Sequence, residues 1–152
     1  MDRGLSPIWT IRAHKRVQDM PKNIAVVIAS FHKKEADEML DEVRNFAKHN
    51  DIRIVKEKWV PGSMEKPLAL KRILNDDGVD GAVALGIIES GETKHGFVMA
   101  QAVISAIIGL QLELMKPIGV GIIGPEILPS QIPSRVRPFA LRAIQVVVES
   151  LE

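Results

Sequence analysis

Ala84-Leu-Gly-Ile-Ile-Glu-Ser-Gly-Glu-Thr-Lys-His95 is the stretch on which the reading of this chain turns. It reads as the end of a buried strand, a glycine turn, and the first turn of a long apolar helix. The residues leading into it, Gly78-Val-Asp-Gly-Ala-Val-Ala-Leu-Gly86, are small and β-branched, as in a strand covered on both faces. Gly91 permits a tight reversal and lets a ligand approach the backbone. Free N–H groups at the helix start carry partial positive charge and favour an anion. Thr93 adds a hydroxyl donor, and His95 adds a group that can carry a proton near neutral pH. An anion site beside a proton carrier is what a phosphate-bearing substrate requires. Strand–glycine–helix junctions recur throughout α/β proteins, however, so the local pattern alone leaves a purely structural role open.

Working outward, the same alternation of strand and helix repeats four times. Asn23 to Ser30 is a first buried strand, with Phe31 and His32 at its carboxyl end. From Lys33 to His49, the apolar Ala36, Met39, Leu40, Val43, Phe46 and Ala47 recur at helical spacing. Ile52 to Val60 is the second strand; Pro61-Gly62-Ser63 turns the chain into a helix from Met64 to Leu74, with Pro67 near its start. Val79 to Leu85 is the third strand, and Thr93 to Met115 a long helix stopped by Pro117. Ile118 to Ile123 is the fourth strand, Gly124 to Pro129 a loop, and Ser134 to Leu151 a last helix. Pro138 should kink that helix or mark its true start. This order predicts a parallel sheet with helices on both faces. Residues 1–22 form an N-terminal arm, with Ile8-Trp9-Thr10-Ile11 as a short strand able to add to a sheet edge, and residues 23–152 one α/β domain.

At 152 residues, with 46% hydrophobic and 26% charged, the chain can build a real core. A net charge of +1 gives no support to a nucleic-acid or anionic-membrane partner. Zero cysteines exclude a disulfide framework and thiolate chemistry. Residues 1–20 hold scattered basic residues but no continuous apolar run, unlike a signal peptide. No stretch reaches the roughly 18 uninterrupted apolar residues of a spanning helix. A cytoplasmic protein, without a membrane partner, is expected. The long helix is apolar most of the way round, from Val98 to Leu114, so it should be buried on most sides. One domain of this size cannot easily enclose it, which predicts a homo-oligomer.

Three separated segments then line up in order: Phe31-His32; Val60-Pro-Gly-Ser-Met-Glu-Lys-Pro67; and Ala84 to His95. With Lys116-Pro117-Ile118 through Gly124, then Gln131 and Arg135, they resemble 6,7-dimethyl-8-ribityllumazine synthase, most closely its archaeal branch. The resemblance spans about residues 24–151. It implies a three-layer, flavodoxin-like sandwich with a four-stranded parallel sheet, and a pentamer or a 60-mer shell of twelve pentamers. It further implies condensation of 5-amino-6-(D-ribitylamino)uracil with 3,4-dihydroxy-2-butanone 4-phosphate in riboflavin biosynthesis, with no metal and no organic cofactor. By the same resemblance Phe31 stacks on the pyrimidine, while Ser63, Met64 and Glu65 bind the ribityl chain. Ile87, Ile88 and Glu89 offer backbone groups to the uracil edge; Glu92 and Thr93 hold the phosphate through N–H groups and the Thr93 hydroxyl; His95 transfers protons. Arg135 reaches the phosphate and the fourth strand supplies Val120, both from the adjacent subunit. An archaeal-type riboflavin synthase shares the fold but does not need the Gly-Glu-Thr-Lys-His run. A non-catalytic assembly subunit is the remaining alternative.

The chain departs from the family pattern at several places. His32 stands where asparagine is usual, and Glu89 replaces a residue that is usually apolar. Val120 occupies a position often held by phenylalanine, Arg142 is the nearest base to an expected lysine, and Gly96 follows His95 where an acidic or aromatic residue is common. Pro129, Pro133 and Pro138 crowd a region that is usually helical.

Overall fold

Every second residue of the buried strands faces one layer of helices, and the residues between face the other. The computed structural model describes residues 20–152. Its sheet comprises β1 (Lys22–Ala29), β2 (Ile52–Val60), β3 (Gly81–Glu89) and β4 (Ile118–Ile127). All pairs are parallel and the order is β2-β1-β3-β4. The helices are α1 (Lys33–His49), α2 (Lys66–Leu74), α3 (His95–Leu114) and α4 (Val136–Leu151). Ile24, Val26, Ile28, Val83, Leu85 and Ile87 pack with α1 and α4, whereas Ala25, Val27, Ala82, Ala84 and Ile88 pack with α2 and α3. Two cores on either side of one parallel sheet make the helix-covered sheet that the pattern predicts, and the three-layer, flavodoxin-like α/β sandwich that the resemblance implies.

The α1 and β2 boundaries agree with the sequence reading; others move. β3 continues to Glu89 instead of stopping at Leu85, because β4 also runs on, from Ile123 to Ile127. The two pair past a register shift between Ile87 and Glu89, and the Ser90 N–H donates to the Ile127 carbonyl at 2.8 Å. The expected loop at Gly124 is thus largely strand. Gly124 has a φ of 105°, and any Cβ there would collide with the Ile88 carbonyl. The helix expected from Met64 splits into a 3₁₀ turn, Ser63–Glu65, and α2. Pro138 is the third residue of α4, in a first turn whose N–H groups have no intrahelical acceptor, so it marks the start without breaking a bond. The candidate strand Ile8 to Ile11 lies outside the described residues.

The expectation that α3 is buried on most sides fails for the single chain. Only Ala100, Val103, Ile107 and Leu110, one face at helical spacing, are buried against the sheet. Val98, Ile108 and Leu112 are 60%, 50% and 72% exposed, leaving an apolar stripe open. By length and composition α3 could cross a membrane. Its connections argue otherwise: it joins the carboxyl end of β3 to the amino end of the adjacent β4, so it must lie along the sheet.

The opposite layer is fitted more closely. A Cβ on Gly119 would overlap the Ala143 carbonyl of α4, and one on Gly121 would come within 2.7 Å of Leu85 Cδ2. Alternate glycines on β4 therefore let α4 rest directly on the strand. Gly119→Val should destabilise the fold by about 3 kcal/mol, the upper range for overpacking a rigid site. A denaturant midpoint equal to that of the wild type would show that α4 can move away at no cost.

Candidate active site

The carboxyl ends of β1, β2 and β3 open on one cleft of about 700 Å³. Its position follows from topology. The chain leaves β1 into α1 on one face and leaves β3 into α3 on the other, and the two strands are neighbours. The diverging connections leave a crevice at the switch point, the usual ligand position in open α/β sheets.

Nine residues singled out in the sequence line this cleft: Phe31, Ser63, Met64, Glu65, Ile87, Ile88, Glu89, Thr93 and His95. Phe31 follows β1 and is 55% exposed, offering a ring face. The β2 segment places Pro61 and Gly62 on one wall and turns immediately into the 3₁₀ helix carrying Ser63, Met64 and Glu65. Ser63 is buried, while Met64 and Glu65 are exposed. Ile87 and Ile88 are buried at the end of β3, and Glu89 is half-buried. The opening of α3 rests directly on this strand end. A Cβ at Gly96 would lie 3.2 Å from the Glu89 carbonyl, a tight approach.

The helix start differs from expectation in one detail. α3 begins at His95, not Thr93, and Thr93 Oγ1 accepts the His95 N–H at 3.3 Å. Among the described residues no group accepts the Thr93 hydroxyl hydrogen, and Thr93 lines the cleft. The His95 side chain is exposed, and its imidazole has no hydrogen-bond partner among the described residues.

Three sequence candidates do not line the cleft of this chain. Glu92 is exposed in the turn before α3. Val120 is half-buried on β4, opposite Ala84. Arg135 lies at the start of α4, where its Nη1 donates to the Gln131 carbonyl at 2.7 Å. β4 is an edge strand beside β3, so Val120 sits on the far side of β3 from β1, while Arg135 precedes the helix that packs on that strand.

The two unusual residues, by contrast, meet. His32 Nε2 donates to Glu89 Oε2 at 2.8 Å, across the switch point. The Phe31 and His32 rings also contact edge to face, with centroids 4.5 Å apart. His32 has a φ of 58°, in the left-handed region where asparagine and histidine are among the better tolerated side chains. Either residue satisfies the backbone there, but only histidine brings an imidazole within reach of Glu89.

A family model for 6,7-dimethyl-8-ribityllumazine synthase matches residues 21–150. A Metallosphaera sedula protein named 6,7-dimethyl-8-ribityllumazine synthase is 35% identical, over 88% of this chain and 88% of its own. Proteins with the same name from Saccharolobus islandicus and Picrophilus torridus are 30% and 33% identical. These alignments cover 90% and 85% of this chain, and 88% and 94% of theirs. The chain belongs to the 6,7-dimethyl-8-ribityllumazine synthase family.

Beneath the cleft lies a group that the sequence reading passed over. Lys66 is fully buried, and its Nζ donates to Ser63 Oγ at 3.0 Å. The amine fills the space over Gly86, where a Cβ would come within 2.5 Å of it. A signal was present: Lys66, Leu70 and Leu74 recur every fourth residue, placing the lysine on the apolar face of α2. Burial lowers its pKa from 10.5 to about 8, against an opposing pull from Glu65. Below pH 8 both folded and unfolded chains carry the charge, and the folded chain bears the full cost of burying it. Between pH 8 and 10.5 the unfolded chain binds more protons at this site, so its contribution to stability rises with pH, by about 3 kcal/mol in all. Lys66→Met should remove that rise. Its stability advantage over the wild type should be greatest at pH 7 and shrink towards pH 10, as read from paired denaturant titrations. A pH-independent difference would contradict a buried amine that loses its proton early.

Proposed function

We propose that the chain is a 6,7-dimethyl-8-ribityllumazine synthase of riboflavin biosynthesis. It would condense 5-amino-6-(D-ribitylamino)uracil with 3,4-dihydroxy-2-butanone 4-phosphate, expelling phosphate and water. The observation that carries this reading is the convergence of three segments, distant in sequence, on the single switch-point cleft. Family membership supplies the reaction.

The chemistry fits the residues. The 5-amino nitrogen attacks the ketone carbon and water leaves as the imine forms. A proton is then lost from carbon as phosphate departs, and the ribitylamino nitrogen closes the second ring with loss of water. Each step moves a proton, and holding both substrates together converts a bimolecular encounter into a local one. In this reading His95 carries the protons, while Thr93 and Glu92 hold the phosphate through N–H groups and the Thr93 hydroxyl. Phe31 stacks on the pyrimidine, with the backbone of Ile87 and Ile88 at its edge. Ser63, Met64 and Glu65 take the ribityl chain. Val120 and Arg135 complete the cleft of a neighbouring subunit, in a pentamer or a shell of twelve pentamers. The exposed apolar stripe of α3 supports such a partner, since a face of that size is seldom left to water.

The test is product absorbance against the uncatalysed condensation. Wild-type protein should accelerate lumazine formation, and His95→Ala should slow turnover about 10²-fold while leaving assembly intact. Arg135→Ala should raise KM for the phosphate substrate about tenfold or more, the worth of a charged hydrogen bond. Light scattering should give a mass that is a multiple of five chains, and Ile108→Glu should yield smaller species. A folded oligomer that gives no acceleration and binds no ribityl-pyrimidine would instead be a non-catalytic assembly subunit.

A further inference from the structure

Glu89 brings a carboxylate to a cleft that it lines together with Phe31, Ile87 and Ile88. A charge there without a purpose would weaken ligand binding through its desolvation alone. The charge is partly compensated: His32 Nε2 holds Oε2 at 2.8 Å, and the two side chains are 23% and 27% exposed. Oε1 has no hydrogen-bond partner among the described residues and remains available as an acceptor. His32 touches both neighbours at once, Glu89 through this hydrogen bond and Phe31 edge to face. Its backbone is fixed in the left-handed region at the head of α1, where its carbonyl accepts the Ala36 N–H at 2.9 Å. One imidazole therefore sets the orientation of a ring face and of a carboxylate that border the same space.

We propose that Glu89 is a second polar anchor for the pyrimidine, its free carboxylate oxygen accepting a ring N–H, and that His32 is the positioning residue that aims it. This rests on the reading of the cleft as a pyrimidine site. The ligand class is a planar heterocycle with an N–H donor on its edge. A ring stacked on Phe31 presents such an edge in its own plane, where a carboxylate at the end of β3 can meet it. A site built around that hydrogen bond also discriminates strongly, because a ring lacking the donor would leave the carboxylate oxygen unpaired.

The test compares wild type with Glu89→Leu, Glu89→Gln, His32→Asn and the double variant H32N/E89L, all as intact assemblies. Kinetics with both substrates are paired with calorimetric binding of 6-ribitylaminouracil and of its ring N-methyl derivative. Glu89→Leu should raise KM for the pyrimidine about 10- to 100-fold, leave KM for the butanone phosphate unchanged, and lose the preference for the N–H ligand over the N-methyl one. Glu89→Gln, nearly isosteric, should restore part of both. His32→Asn should give a smaller loss of the same kind, and the double variant should be no worse than Glu89→Leu alone, the signature of one residue acting through the other. A merely structural ion pair would lower thermal stability without splitting the two KM values. Additive losses would overturn the positioning role of His32. An active wild type with an unchanged Glu89→Leu variant would overturn the anchor while leaving the function standing. A wild type that neither turns over nor binds either pyrimidine would overturn the reading of the cleft, and the anchor with it.

Discussion

Everything functional here depends on β1 and β3 being parallel neighbours whose onward connections leave on opposite faces. Parallel strands cannot be joined by a tight turn, so each needs a helix, and each helix must choose a face. α1 goes to one side and α3 to the other, which parts the chain above the strand ends. Stack-and-anchor chemistry then needs only short segments after each strand. The Phe31-His32 pair, the 3₁₀ turn at Ser63 and the Glu89 to His95 run arrive at one place because the sheet delivers them there.

The same frame explains where ionisable groups can be kept. Lys66 is tolerated in the interior because Gly86 leaves room for its amine and Ser63 accepts one of its hydrogens. Its lowered pKa is the electrostatic consequence of having so little else around it. The exposed pairs on the helix surfaces, such as Arg137 with Asp41 and Glu42, are different in kind. They sit in high dielectric and contribute little.

Periodicity made the α/β order, the parallel sheet and the two core layers legible, because burial on both faces leaves a continuous apolar signature in β1 and β3. Strand ends were less legible. Glu89 and Gly124-Pro125-Glu126 read as loop residues, yet both segments stay in the ladder because each supplies the other's hydrogen bonds. Turn signals describe what a segment can do alone; pairing decides what it does here. The convergence of the cleft residues could be reached only through the resemblance, since no spacing rule ties residue 31 to residue 93. The His32–Glu89 contact joins positions 57 apart, and in sequence it showed only as two separate departures. Lys66 was hidden by the ordinary expectation that a lysine faces water.

The single chain leaves two kinds of surface unfinished, and they belong together. One is apolar: Val98, Ile108 and Leu112 stand exposed on α3 although the opposite face of the helix is packed. The other is chemical: the cleft has a stacking face, hydroxyls, two carboxylates and an imidazole, but no arginine or lysine among its lining residues. A phosphate held by N–H groups and one hydroxyl alone would lack a countercharge. Arg135 does not line the cleft of its own chain; in the proposed assembly a neighbour's Arg135 would supply the countercharge. In the proposed assembly, covering the apolar stripe and importing the cation are one event, so affinity for the phosphate substrate is tied to subunit contact. A variant that separates subunits would then lose phosphate affinity before it loses the fold, because the stacking face and the carboxylates of the cleft are carried by one chain.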